Sequence, residues 1–148
     1  MVRSRDNAAQ EALRARIRAA GLRVTAPRVA VLQRMELARS PVSHGELSDA
    51  LSPAWDRATI YRNLMDLTES GLLRRTDLGD HIWRFELASV ETLGHEAPQH
   101  AHFVCRTCGE VQCLPSESVQ LQLSRTAPKS VRAQSVEIQL KGLCERCT

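Results

Sequence analysis

No stretch of this chain stays apolar long enough to cross a bilayer, and its first residues are charged from Arg3 onward, with Asp6 and Glu11 among them. That excludes a transmembrane helix and predicts neither a secretory signal nor an acid-free transit peptide. The expected location is the cytoplasm, where thiols stay reduced, with no membrane partner. Internal repeats and low-complexity tracts are also missing, so a solenoid or an array is excluded. Lysine is absent up to Ala88, where 14 arginines face 11 carboxylates, whereas from Ser89 onward six basic residues balance six acidic ones. The whole positive surplus of +3 therefore lies in the N-terminal part and is carried by guanidinium groups, which can grip phosphates and base edges in pairs.

What is present is the composition of a globular protein: 148 residues, 43% hydrophobic and 25% charged, enough for one ordinary domain or two small ones. Its most informative residues are five cysteines. Cys105 and Cys108 form one C-x-x-C pair, and Cys144 and Cys147 form a second near the C-terminus. A single pair in a reduced compartment is a redox motif or two buried thiols as readily as a ligand pair. Two pairs in one short chain point to a closed tetrahedral zinc site. Their separation exceeds that of a compact zinc ribbon, so a small α/β unit is expected between them. His100 and His102 alternate with Ala101 and Phe103, which on a strand puts both imidazoles on one side. They are either exposed polar residues or part of a second site. Cys113 is left over, as a further ligand or a small buried thiol.

Taken in order, Asn7 to Ala20 is rich in helix formers and ends at Gly21. Thr25 caps a second helix with Pro27 in its first turn and Val29, Leu32 and Met35 as its apolar stripe. Ser43 and Glu46 form a capping box for a third. Asp56 caps a fourth, Arg57 to Ser70, which stops at Gly71. Its apolar stripe is Ile60, Leu64 and Leu67, and its other side carries Arg57, Thr59, Tyr61, Arg62 and Asn63, a set suited to phosphates and base edges in a major groove. Leu72 to Thr76 and His81 to Leu87 read as two strands around a turn. Three helices and then a hairpin is the plan of a winged helix-turn-helix. The predicted organisation is a DNA-binding domain over 1–88, a linker over 89–99 with Gly94 and Pro98, and a metal-binding domain over 100–148. In the last, the spacing predicts strands at His100 to Val104 and Glu110 to Leu114. A short helix from Pro115 to about Ser124, a loop at Thr126 to Ser130 and a long strand from Val131 to Leu140 follow. The fold class is α+β.

Gly21-Leu-Arg-Val-Thr-Ala-Pro-Arg28, Ala58-Thr-Ile-Tyr-Arg-Asn-Leu64, Glu69-Ser-Gly-Leu72, Phe85-Glu-Leu87 and His100-Ala-His-Phe-Val-Cys-Arg-Thr-Cys-Gly109, in that order, resemble the ferric uptake regulator family over nearly the whole chain. The resemblance implies a homodimeric, metal-dependent transcriptional regulator, normally a repressor, that binds a palindromic double-stranded DNA operator. A divalent metal held between its domains would set the spacing of the two DNA-binding domains. It also implies a structural Zn²⁺ at Cys105, Cys108, Cys144 and Cys147, and a recognition helix whose foremost DNA contacts are Tyr61 and Arg62, with Arg57, Thr59 and Arg28 beside them. For the regulatory metal it implies Glu86, His100 and His102 as ligands. Cys113 stands where the family has a carboxylate, which favours Zn²⁺ over Fe²⁺ or Mn²⁺. Pro41 stands where the family usually has a histidine, so His44, three residues on, is one candidate to complete the site, and His95 in a long linker is another. Gln99, Ala101 and Val136 replace ligands of a further metal site, leaving two metals per chain.

Within this class the alternatives are an iron- or manganese-dependent regulator or a peroxide sensor. Outside it stand a zinc hydrolase or deaminase and a zinc-stapled protein-interaction module. His44-Gly-Glu46 with Cys105-x-x-Cys108 loosely resembles the deaminase pattern, but no proline precedes Cys105, and four thiolates leave no open position for catalysis. No enzymatic activity is expected.

Overall fold

The computed structural model describes residues 2–88, 101–132 and 137–148. The expected linker 89–99, with His95, lies outside these residues, as do His100 and Val136. The chain divides into two compact units, Met1–Ala88 and Ser89–Thr148.

The first unit follows from helix boundaries written into the sequence. Helix α1 (Val2–Ala19) turns Leu13 and Ile17 into the core. It ends where Gly21, at φ +76°, lets the Gly21 amide reach the Arg18 carbonyl and the Leu22 amide reach that of Ile17. Helix α2 (Ala26–Leu37) buries Val29, Val31, Leu32 and Met35. Thr25 occupies its N-cap position without a side-chain cap bond, and the start rests on proline in the first turn. In α3 (His44–Leu51) the capping box is complete: Ser43 Oγ accepts from the Glu46 amide, and the Ser43 amide donates to Glu46 Oε2 at 2.8 Å. Helix α4 (Arg57–Glu69) is capped by Asp56, whose Oδ1 accepts from the Thr59 amide at 2.8 Å. It buries Ile60, Leu64 and Leu67.

A two-residue strand β1 (Val42–Ser43), too short to leave a periodicity in the sequence, joins β2 (Leu73–Asp77) and β3 (Trp83–Leu87) in an antiparallel sheet of order β1-β3-β2. Leu73 and Phe85 go from this sheet into one cluster with Leu13, Ile17, Leu32, Leu47, Leu64 and Leu67. The result is a winged helix: α4 lies on the sheet, and the β2–β3 hairpin is the wing.

In the second unit β4 (His102–Cys105) is central, antiparallel to β5 (Val111–Cys113) and parallel to β6 (Gln139–Gly142). Three expectations are corrected here. The short helix from Pro115 is only a 3-10 turn, Ser116–Ser118. Part of the expected loop at Thr126 to Ser130, and the first residues of the expected long strand, form a helical turn α5 (Lys129–Arg132), in which the Arg132 amide donates to the Pro128 carbonyl. Proline at the head of this turn sets a helical φ in advance. The strand itself is described from Gln139 onward, where β4 offers a partner: His102 pairs with Gln139 and Cys105 with Gly142. Side-chain alternation can suggest a strand, but a ladder is needed to make one.

Candidate metal centre and nucleic-acid face

Strand β4 delivers Cys105 into a knuckle that closes as the Gly109 amide donates to the Cys105 carbonyl, with Gly109 at φ +71°. The second knuckle repeats this closure from the Cys147 amide to the Cys144 carbonyl. A bond from the Arg106 amide to the Gly142 carbonyl, and an ion pair from Arg146 to Glu110 at 2.7 Å, tie the two together. The ligand atoms of Cys105, Cys108, Cys144 and Cys147 all lie within 4.8 Å of one another. Cys108 Sγ and Cys144 Sγ are 3.7 Å apart, against about 3.8 Å for the edge of a tetrahedron with Zn–S bonds of about 2.3 Å.

Titration favours the same occupant. Amide bonds, first that of Cys108 and then that of Cys144, lower the Cys105 thiol to about 6, while burial raises Cys144. Hydrogen bonding, first to Cys144, pushes Cys147 up to about 12. Thiols this crowded cannot all ionise alone, and a divalent cation removes the conflict. The donor set fits zinc.

His102 and Cys113 are direct cross-strand partners on β4 and β5, with ligand atoms within 4.8 Å. His102 is only 3% exposed, so it is not a solvated strand histidine, and Cys113 is half-buried. In the first unit Glu86 is buried on β3, and its Oε1 accepts from Arg74 Nε at 2.6 Å across the β2–β3 register. Among the described residues His44 joins no group of metal-ligating side chains. Its Nε2 is instead 2.9 Å from the Arg57 carbonyl, and its ring meets Tyr61 edge-on with centroids 5.5 Å apart.

On α4, Tyr61 and Arg62 are exposed, and among the described residues Arg62 has only a long 3.4 Å contact to Thr59 Oγ1. Arg57 is exposed too and shares a surface ion pair with Asp49. Two other expected contacts, Thr59 and Arg28, also make bonds within the unit. The Thr59 hydroxyl donates to Asp56 Oδ2 and so belongs to the helix cap. Arg28, with its side chain 11% exposed, is bonded to Asp66 and to the Arg23 carbonyl, clamping α2 to α4. Sequence reading missed a pair on the wing: Arg75 lies over the Trp83 ring at 4.3 Å from its centroid. Alternation along β2 and β3 could have paired them, since Arg75 and Trp83 fall on one face of the hairpin.

No helix among the described residues is long and apolar enough to cross a membrane. A family model described as ferric uptake regulator family matches residues 19–141. The transcriptional regulator FurA of Mycobacterium bovis is 32% identical over 138 residues, covering 89% of this chain and 87% of that protein. A peroxide-responsive repressor PerR of Staphylococcus epidermidis is 29% identical, covering 72% and 67%. Among solved structures, the ferric uptake regulator of Pseudomonas aeruginosa with manganese shares the fold at a TM-score of 0.60 and 24% identity, over 89% and 97% of the two chains. A zinc uptake regulator complexed with zinc and DNA does so at 0.60 and 21%, over 95% and 93%. The family match runs through both units, from the end of α1 to β6, so the chain belongs to the ferric uptake regulator family of metal-responsive, DNA-binding transcriptional regulators.

Proposed function

We propose that this protein is a zinc-responsive repressor, acting in the cytoplasm as a homodimer on a palindromic operator and controlling genes of metal uptake or homeostasis. A structural Zn²⁺ sits in the four-cysteine cluster. A second, regulatory Zn²⁺ is held by His102 and Cys113, with His100 and Glu86 completing the set and His95 in reserve. The observation that carries this reading is the opposed pair His102 and Cys113. An imidazole beside a thiolate is a soft, nitrogen-and-sulfur donor set that prefers Zn²⁺ to Fe²⁺ or Mn²⁺. His44 is left out of the proposed set, since among the described residues it joins no group of metal-ligating side chains.

A metal held by these ligands would supply the positive charge that draws them together. The chain's own residues prepare for it. Arg74 directs the Glu86 carboxylate by a charge-assisted bond of 2.6 Å. Tyr61 and Arg62 read base edges, while Arg57 joins them on the phosphates.

Operator affinity measured against buffered free Zn²⁺, Fe²⁺ and Mn²⁺ tests this. Zinc is expected to act at the lowest free concentration, and Cys113→Ser to raise the zinc required by at least ~10-fold, as loss of metal-site support does. An unchanged zinc response in Cys113→Ser would sink the thiolate assignment. A stronger response to Fe²⁺, lost on adding peroxide, would favour the peroxide-sensing alternative.

A further inference from the structure

Between α4 and the wing lies an open groove of about 470 Å³, wholly within the first unit. Tyr61 and Met65 of α4 form one wall, His44 closes the α3 end, and Arg75, His81 and Trp83 form the wing wall. None of these residues is a proposed metal ligand, and only Tyr61 is among the proposed base contacts.

We propose that this groove seats the sugar-phosphate backbone of one operator strand, beside the major-groove contacts of α4. The inference rests on the DNA-binding reading above and adds a second contact element, the wing, to it. Three observations point to that occupant. First, the groove continues the surface that α4 presents, because Tyr61 belongs to both. Second, its lining carries one arginine and two histidines and no carboxylate. The wing carboxylate Asp77 is outside the lining; its Oδ1 accepts from the amides of Gly79 and His81, and its Oδ2 is 3.9 Å from the His81 ring, so Arg75 is the cation on which the seat depends. Third, the Trp83 ring is 50% exposed with the Arg75 guanidinium held 4.3 Å above it. Among the described residues no carboxylate pairs with Arg75.

An exposed apolar ring beside a pre-positioned cation matches the alternation of apolar deoxyribose and anionic phosphate along a nucleic-acid strand. Trp83 covers a sugar and Arg75 takes the adjoining phosphate. Such contacts fix the register of α4 on the duplex and carry no base information of their own.

The test uses the full-length, zinc-loaded protein and duplexes that it enriches from a random-sequence library. Affinity is measured across a salt series for wild type, Arg75→Gln, Trp83→Ala and Trp83→Phe, with Arg62→Ala for comparison, each checked by its melting curve. Arg75→Gln is expected to bind about tenfold more weakly on enriched and unenriched duplexes alike, with its salt slope reduced by about one. Trp83→Ala should lose a similar factor, whereas Trp83→Phe, which keeps a ring, stays within about twofold. Ethylation of one flanking phosphate should impair wild type and leave Arg75→Gln indifferent. If Arg75→Gln and Trp83→Ala bind with wild-type affinity and slope while Arg62→Ala loses discrimination, the seat is wrong and DNA binding through α4 stands, leaving the groove to another occupant. Equal losses in Trp83→Phe and Trp83→Ala would also overturn the ring contact. If no duplex is enriched, the DNA reading falls and the seat with it.

Discussion

Arg28 and Arg62 look alike in sequence, each an arginine within a motif shared with DNA-binding relatives, yet their surroundings divide them. Arg62 is exposed and bound only weakly to its own helix, while Arg28 is largely buried against Asp66 and the Arg23 carbonyl. Charge-assisted bonds of this kind contribute about 2 kcal/mol when one partner is partly buried. Arg28→Ala is therefore expected to lower unfolding stability by roughly that amount in a denaturant titration, and to leave the salt slope of DNA binding unchanged. A slope reduced by about one would return Arg28 to the phosphate contacts. The same contrast governs the histidines. His102 sits buried opposite a thiol, and His44 is tied to a helix N-terminus, a difference that spacing along the chain does not encode.

The helices were legible because their ends are local. Gly21 and Gly71 stop α1 and α4, the Ser43–Glu46 box starts α3 and Asp56 starts α4, each through bonds within a few residues. The second unit was less legible because its strands depend on distant partners. Alternation from Val131 to Leu140 suggested one long strand, while Pro128 starts a helical turn and β6 is described only where β4 runs beside it. β1 was missed for the same reason, since two residues show no period and exist as a strand only through β3. The four-cysteine site could be read in advance because both knuckles carry their own turn chemistry. The wing tip is again local. Asp80 accepts from Arg84 and from the Ile82 amide, and the Arg84 bond first of all lowers its carboxyl to about 2. A lowered folded-state value means that this order is complete above the ordinary carboxylate range near 3.8 and is lost as pH falls through about 2. Following the Ile82 amide by NMR in an acid titration should show a midpoint near 2 in wild type and none in Asp80→Asn. A midpoint near the ordinary value would show the Arg84 bond to be absent in solution.

At the scale of the whole molecule the two units rest on different physics. The first buries a dozen large apolar side chains in one cluster. In the second, the buried apolar residues among those described are Ala101, Cys105 and Cys144, of which two are metal-site cysteines. With so few buried apolar residues among those described, the proposed zinc is expected to supply much of this unit's folding free energy. Removing zinc with a strong chelator, or substituting Cys147→Ser, is expected to melt the second unit while the winged helix keeps its own transition in calorimetry and its amide NMR dispersion. One intact cooperative transition after verified metal loss would contradict this. The parallel pairing of β4 and β6 has a further consequence, for which changes of chain length the protein can accept. Because the two strands run side by side in the same direction, with Cys105 opposite Gly142, both knuckles emerge at one end of the sheet. One residue inserted between Gln139 and Cys144 would displace the second thiol pair by about 3.3 Å and turn its strand over. A residue inserted between Ser118 and Pro128, outside both knuckles and the last strand, is expected to leave the two thiol pairs in register.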